Sequence, residues 1–247
     1  MATVAEKSSK ECISIYAIST ALPSQRSPLN PTGNDVFDQH NKPRLRRDLI
    51  LHALSSECPS ISFHAISGSS CDLVELYSRV HSIDMIRFLT SAWSKWTAMG
   101  KIKGYYEECC HPQWKKSEEE PVPPLIPCHA AFRNCPIERP SENVMGAMGF
   151  YCTDYMTPIV GSLHKELQDD GMIICHAVKK AFEDDTVSYA ITTHPGHHAN
   201  RDNFGGYCYL NNSSLCAKLM QRQLECSKCI IGDDGKMANN YWGTHEE

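Results

Sequence analysis

The sequence predicts an α/β domain in which a parallel sheet is flanked by helices. The main observation is a strand, helix, strand order. Residues 187–193 are rich in β-branched and aromatic side chains, a helix that Asn211 or Asn212 can cap follows with Leu215, Leu219 and Leu224, and residues 229–231 are short and apolar. The composition agrees, because 247 residues of which 41% are hydrophobic can bury the core of one ordinary domain.

Charge and hydropathy exclude several classes of protein. The net charge of −5 is spread along the chain without a basic stripe, so direct binding to nucleic acid is not expected. No stretch reaches the roughly 18 uninterrupted apolar residues of a membrane span, and the first ten residues lack the apolar core of a secretory signal. We expect an intracellular protein, cytoplasmic or nuclear, without a membrane partner.

The first elements follow from local patterns. Residues 1–10 are polar, and we expect them to be disordered. Residues 12–18 alternate apolar and small side chains, which predicts a strand, and the Pro, Gly and Asn residues of 23–34 predict a loop. Residues 44–54 are predicted to be helical.

Two further helices are predicted from apolar residues that recur at helical spacing. The first contains Leu73, Leu76, Tyr77 and Val80, and the second contains Ile86, Leu89, Trp93 and Trp96. We interpret these aromatic residues as core rather than as a cofactor site.

Residues 111–140 interrupt this pattern. They hold seven of the chain's 14 prolines and an acidic run at 118–120, which predicts an irregular surface insertion. A loop that binds a partner is the alternative. The absence of an internal repeat favours a single domain.

The 13 cysteines are expected to be free thiols, because the chain lacks a secretory signal. Cys226 and Cys229 have the C-x2-C spacing of a zinc knuckle or redox pair, but no second pair accompanies them. A second group has no regular spacing, although its side chains could serve as soft metal ligands: Cys109, Cys110, His111, Cys128, His129 and Cys135. Packing or surface thiols are the simpler interpretation of both groups.

Chemistry-bearing residues follow the two strands of the strand, helix, strand unit. A helix predicted over 163–182 precedes this unit, although Gly171 lowers the helix propensity near its middle. His197 and His198 then follow the first strand, and Asp233 and Asp234 follow the second. Parallel strands joined by a right-handed crossover end at the same sheet edge, so both loops should converge there. Adjacent imidazoles near carboxylates suit acid and base chemistry, whereas a purely structural histidine pair remains the alternative.

The run from Tyr189 to Asn212 resembles the active-site segment of the zinc-dependent histone deacetylase superfamily. It reads Y-A-I-T-T-H-P-G-H-H-A-N-R-D-N-F-G-G-Y-C-Y-L-N-N. It is especially similar to the acetylpolyamine amidohydrolase branch, whose pattern is P-P-G-H-H-A, a polar stretch, G-G-Y-C and N-N. Residues 80–89 and 154–159 extend the resemblance, which covers roughly 43–231. We therefore expect a partial deacetylase domain over 11–231.

This resemblance implies an arginase-deacetylase fold and hydrolysis of an acetamide on a lysine or a polyamine. It implies that zinc activates water and that His197 and His198 act in proton transfer. Gly206 and Tyr207 would line the channel that receives the aliphatic amine arm. An aromatic wall suits a methylene chain, and a cationic arm would favour its π face.

The chain departs from the family after the second predicted strand, where the pattern is D-x-D-x-H-H-G-N-G-T. Asp234 falls on the aspartate ligand, but Lys236 occupies the position of the histidine ligand, where an ammonium would repel a dication. Gly232 replaces the acidic partner of the first dyad histidine. The family's second aspartate ligand and its transition-state tyrosine have no counterpart. We therefore expect a domain truncated after this strand, a divergent tail over 232–247 and an incomplete zinc site.

Three hypotheses account for an intact histidine motif beside an incomplete metal motif. In the first hypothesis, residues from about 232 onward are not family sequence but have replaced the end of the domain, as a retained intron would. Alternatively, the chain is a non-catalytic homologue that acts as a binding or dimerisation module, in a homo-oligomer or a heterodimer. The third hypothesis is a hydrolase with an altered site.

Overall fold

The computed structural model describes residues 13–18, 43–58, 60–67, 71–99, 124–127, 139–184, 187–224, 232–233 and 236–237. The strands are β1 (Ile13–Ile18), β2 (Ser62–Ile66), β3 (Val187–Ala190), β4 (Gly232–Asp233) and β5 (Lys236–Met237). The helices are α1 (Pro43–Glu57), α2 (Leu73–Tyr77), α3 (Ile83–Met99), α4 (Val144–Tyr151), α5 (Leu163–Glu183) and α6 (Asn212–Leu224).

The central feature is a parallel sheet of three strands in the order β2-β1-β3. In this register Ile15 of β1 lies opposite Phe63 of β2 and Tyr189 of β3. Residues 14–17 of β1 are buried, and α1 and α5 contribute Leu51 and Ile173 to the same apolar cluster. Helices and parallel strands therefore build the α/β fold that the sequence predicts.

A second and larger core cluster joins α2, α3, α4, α5 and α6. It contains the aromatic and aliphatic residues that the sequence assigned to the core, with Tyr77 and Trp96 buried and Trp93 partly buried. The helix α5 contributes to both clusters. It therefore connects the sheet to the helical layer and to the loops that carry the candidate site.

The helix α5 is continuous from Leu163 to Glu183, which confirms the helix predicted over 163–182 although Gly171 lies at its middle. A methyl group at Gly171 would meet the side chains of Leu76 and Tyr77 on α2. Glycine therefore allows α2 to approach α5 closely, and packing offsets its low helix propensity of about 1 kcal/mol.

Part of the predicted proline-rich insertion packs into the core. Leu125 is fully buried, and it exchanges two backbone hydrogen bonds with Ile159, with N–O distances of 2.9 and 2.8 Å. Most of the rest of 111–140 lies outside the described residues, as do 1–10, 23–34 and the strand expected at 229–231. The Cys226 and Cys229 pair and the group of possible metal ligands between Cys109 and Cys135 also lie outside the described residues. Among the helices that the structure describes, none is long and apolar enough to span a membrane.

Candidate functional site

The two candidate catalytic histidines lie on the loop that leaves the carboxyl end of β3. The side chains of His197 and His198 are exposed, and their ring centroids are 4.2 Å apart with 51° between the ring planes. Open parallel sheets usually bind ligands beyond the carboxyl ends of their strands. The loop therefore places two neighbouring imidazoles where a ligand can reach them.

A tight turn at Gly206 and Tyr207 lies against His198. Both residues have positive φ, 56° and 61°. The turn is closed by backbone hydrogen bonds between Gly205 and Cys208, at 3.1 and 2.9 Å. A Cβ atom on Gly206 would overlap the imidazole of His198, so glycine is needed for the close approach as well as for the backbone conformation. The structure thus brings together the two predicted channel residues and the second predicted dyad residue.

The carboxylate of Asp154 holds this turn in place. One oxygen accepts hydrogen bonds from the backbone N–H groups of Met156 (2.6 Å) and Thr157 (2.8 Å). The other accepts from the Thr157 hydroxyl (2.8 Å) and from the backbone N–H of Gly206. The Thr157 oxygen in turn accepts the Tyr207 N–H at 2.9 Å. Burial opposes ionisation of Asp154, but these hydrogen bonds outweigh it and lower the pKa of the carboxyl.

A buried thiol connects the loop that carries His197 and His198, which we call the histidine loop, to the same turn. The sulfur of Cys208 accepts the N–H of Gly196 at 3.2 Å, one residue before His197. Burial raises the pKa of the Cys208 thiol, which favours the neutral form. Cys208 therefore acts as a small packing residue between the two loops, not as an activated nucleophile.

His81 supports the site from the segment between α2 and α3. Its Nδ1 lies 2.6 Å from the carbonyl oxygen of Asn200, and its Nε2 accepts the N–H of Asn211 at 2.8 Å. These partners assign a neutral imidazole protonated at Nδ1. Burial lowers the pKa of His81 to about 4. Asn211 also caps α6, as the sequence predicts for this pair of asparagines, by accepting the N–H of Ser214 at 2.9 Å.

The proposed metal ligand Asp234 lies outside the described residues, and for Lys236 only the backbone is described, in β5. In the part of the chain that the structure covers, no cluster of three or more His, Cys, Asp or Glu side chains could hold a metal. The expected convergence of Asp233 and Asp234 with the histidine loop therefore stays a prediction.

Sequence reasoning assigned no role to His81 and Asp154, although both lie in segments that carry the family resemblance. It also missed Glu166 and Asp170, which contact the histidine loop from α5. The signal for the first two was the resemblance at 80–89 and 154–159. For Glu166 and Asp170, the sequence signal is only that two acidic residues four positions apart share one face of a predicted helix.

Comparisons with known proteins match most of the described part of the chain. The histone deacetylase domain model matches residues 40–233. Acetylpolyamine amidohydrolase 1 of Pseudomonas aeruginosa is 26% identical over 140 residues, covering 57% of this chain and 35% of that protein. The acetylpolyamine amidohydrolase of Mycoplana ramosa is 29% identical over 151 residues, covering 59% of this chain and 36% of that protein. The chain thus matches about a third of the length of these relatives.

A solved structure shows the same fold. The crystal structure of acetylpolyamine aminohydrolase from Burkholderia pseudomallei superposes with a TM-score of 0.56 at 16% sequence identity. The match covers 85% of this chain and 53% of that chain. The sheet, its flanking helices and the long family match identify an arginase-deacetylase-like fold, and the chain belongs to the histone deacetylase domain family.

Proposed function

We propose that this chain forms the histidine and channel part of a deacetylase-type site, which takes an acetamide carried on a lysine or a polyamine. The observation that supports this proposal is the Gly206–Tyr207 turn, fixed against His198 by Asp154 and Thr157. The relatives named as acetylpolyamine amidohydrolases favour an acetylated amine as the ligand.

The residues suit such a ligand. The ring of Tyr207 is partly exposed beside the histidines and offers an apolar wall to a methylene chain. Tyr155 and Met156, on the turn that holds Gly206, are also exposed and extend this apolar surface. The ring nitrogens of His197 and His198 can donate hydrogen bonds to the acetamide oxygen or accept them from the amide N–H, and imidazole is the side chain most often used as an acid or base in catalysis.

The zinc that the family uses would polarise the acetyl carbonyl and activate water. The residues of this chain do not fit that metal, because Lys236 stands where a histidine ligand is expected and an ammonium has no lone pair to donate. We therefore assign no hydrolytic step through a metal. We propose that this chain binds the acetylated amine and is catalytically impaired.

A second candidate is a non-catalytic homologue that binds acetylated amines or pairs with another subunit. The lysine at position 236 favours it, since the substitution affects the metal while leaving the histidines and the channel turn in place. The two candidates share the ligand and differ in turnover.

Binding is tested by calorimetry with N-acetylputrescine and with an acetyl-lysine peptide, each beside its unacetylated form. We expect His198→Ala to weaken binding by about tenfold, the effect of one hydrogen bond to a charged or polarised partner. His176→Ala is the matched control, because His176 is exposed on α5 and its Nδ1 lies 2.9 Å from the carbonyl oxygen of Met172 on the same helix. Equal binding of acetylated and free amines, or equal loss in both variants, would overturn the proposal.

Acetate release distinguishes the two candidates. Purified protein that binds the acetylated ligand without releasing acetate supports the non-catalytic homologue. Slow release that disappears in His198→Ala supports the impaired deacetylase-type site, whereas release at the full rate of an intact deacetylase contradicts the expected impairment.

A further inference from the structure

The histidine loop of this chain contains a residue that departs from the family pattern. Where that pattern reads P-P-G-H-H-A, this chain reads H-P-G-H-H-A, with His194 in place of the first proline. The side chain is almost completely buried, 5% exposed, three residues before His197. A buried histidine at this place requires an explanation, because imidazole is polar.

Proline and histidine restrain the backbone by different means. The proline ring fixes φ near −65° and leaves no backbone N–H to satisfy. Histidine restores rotation about φ, adds a backbone N–H and brings two ring nitrogens into the interior. Buried polar groups of this kind need hydrogen-bond partners, or each costs about 1–3 kcal/mol.

Asp170 on α5 satisfies the backbone of the loop. Its two carboxylate oxygens accept the N–H groups of Thr193 at 2.6 Å and of His194 at 2.9 Å. The carboxyl is fully enclosed, and burial raises its pKa to about 6. One side chain therefore holds two successive peptide groups immediately before the candidate dyad.

Glu166, one helical turn earlier on α5, is the hydrogen-bond partner of one ring nitrogen of His194. Its Oε2 lies 3.0 Å from Nε2, and its other oxygen pairs with Arg44 of α1. Burial opposes ionisation of Glu166, but the contacts with His194 and Arg44 outweigh it and lower the pKa of the carboxyl to about 2. Nδ1 has no hydrogen-bond partner among the described residues, which assigns the ring proton to Nε2.

We propose that His194, Glu166 and Asp170, which we name the α5 anchor, form a positioning unit for His197 and His198. Hydrogen bonds from α5 restrain the chain at the position where the family pattern has a proline. This inference rests on the proposed function for its meaning, since it concerns the placement of the candidate dyad. It predicts that the local stability of the histidine loop depends on Glu166.

The buried thiol of Cys208 reports opening of this loop, because its sulfur accepts the Gly196 N–H. Cys152 is equally buried, and its thiol donates to the carbonyl oxygen of Asp154 at 3.3 Å. Maleimide labelling of the full chain, resolved by mass spectrometry, gives both rates in one sample. Local opening of the loop raises the rate at Cys208 alone, whereas a global loss of stability raises both.

We expect Glu166→Ala to raise the Cys208 to Cys152 rate ratio by about tenfold, the order expected for loss of one charge-assisted hydrogen bond. Glu166→Gln keeps an acceptor for the ring and should restore most of the ratio. Asp169→Ala, at the exposed ion pair with Lys165 on the same helix, is the matched control and should leave the ratio unchanged.

The family proline supplies a second test. In a His194→Pro background Glu166 has no imidazole to hold, so Glu166→Ala should leave the labelling ratio unchanged. An equal effect of Glu166→Ala in both backgrounds, or equal acceleration at both cysteines, would overturn the inference. If Glu166→Ala does not fold, Arg44→Ala takes its place, since Arg44 is half-exposed and contacts the same carboxylate. Labelling needs no ligand, so its outcome is independent of whether the chain binds acetamides.

Discussion

At the scale of single residues, His81 couples the site to the pH of the solution. Its imidazole donates to Asn200 and accepts from Asn211, and the second bond requires a neutral ring. Burial lowers its pKa from 6.5 to about 4. The unfolded chain therefore binds a proton between these two values while the folded chain does not, so stability falls as the pH drops through this range.

We predict that His81→Gln removes this part of the acid sensitivity. Relative to pH 7, the wild-type chain should lose about 3 kcal/mol more of its unfolding free energy at pH 4 than the variant does. Urea unfolding of both proteins at several pH values measures the difference. Parallel stability profiles for the two proteins would contradict the assignment of a neutral buried imidazole.

Gly206 is the residue whose replacement should affect the site most directly. Alanine there would hold a positive φ of 56° and would place its methyl group on the His198 ring. We predict that Gly206→Ala costs about 2 kcal/mol of stability and weakens binding of N-acetylputrescine by at least about tenfold. Chemical unfolding and calorimetry measure the two effects. Lys179→Ala, an exposed change on α5, is the control, and unaltered binding in Gly206→Ala would remove the turn from the site.

The residues that could be predicted from the sequence are those whose meaning is local. His197, His198, Gly206 and Tyr207 lie within one short run of the sequence. The structure places the rings of His197 and His198 next to each other and Gly206 against His198. His81, Asp154 and Asp170 act through partners 23 to 130 residues away along the chain. No periodicity or spacing encodes such pairs, so their roles required the structure.

At the scale of elements, α4 depends on a cap that lies close to the site. The side chain of Asn143 accepts the N–H of Met145 at 2.9 Å, and the helix ends next to Cys152, which bridges to Phe204. We predict that Asn143→Ala lowers the unfolding free energy by about 1 kcal/mol, because one N-terminal N–H loses its partner. Urea unfolding measures it. The exposed neighbour Glu142→Ala should change stability by much less, and an equal loss in both variants would argue against the cap.

The elements that the sequence missed have physical reasons. Two residues of β2, His64 and Ala65, are exposed, so its pattern does not alternate clearly between apolar and polar. In α4 the side chains are apolar around most of the helix, which leaves no amphipathic period to detect. By contrast, β1 and α1 were predicted within a few residues, because their apolar residues follow a strand or helix period.

At the scale of the whole molecule, β3 is where the described sheet ends. Within the described residues it pairs with β1 only, and an apolar groove beside it is lined by Ala177, Val178 and Met220 from α5 and α6. The hydroxyl of Ser188, which faces this groove, is buried without a described partner. The parallel sheet that the sequence predicts is present, but it is formed by β1, β2 and β3, and the partner strand that the strand, helix, strand order predicts at 229–231 lies outside the described residues.

Zinc binding is a property of the whole molecule, because a metal that binds only the folded state stabilises all of it, by about 2.7 kcal/mol at a hundredfold excess over Kd. Lys236 leaves the chain without an Asp-x-His pair at the expected position. We predict that zinc leaves the unfolding midpoint of this chain unchanged, and that metal analysis of the folded protein gives less than one zinc per chain.

Lys236→His should change this result, because it restores the Asp-x-His spacing with Asp234 and replaces an ammonium with a ligand. We expect the variant to bind zinc at least about tenfold more tightly and to show a zinc-dependent rise in its unfolding midpoint. Lys95→His, at an exposed position on α3 without a histidine, cysteine or carboxylate three or four residues away, controls for zinc captured by any added histidine. Stoichiometric zinc in the unaltered chain would show that other residues complete the site, and the proposed catalytic impairment would then be wrong.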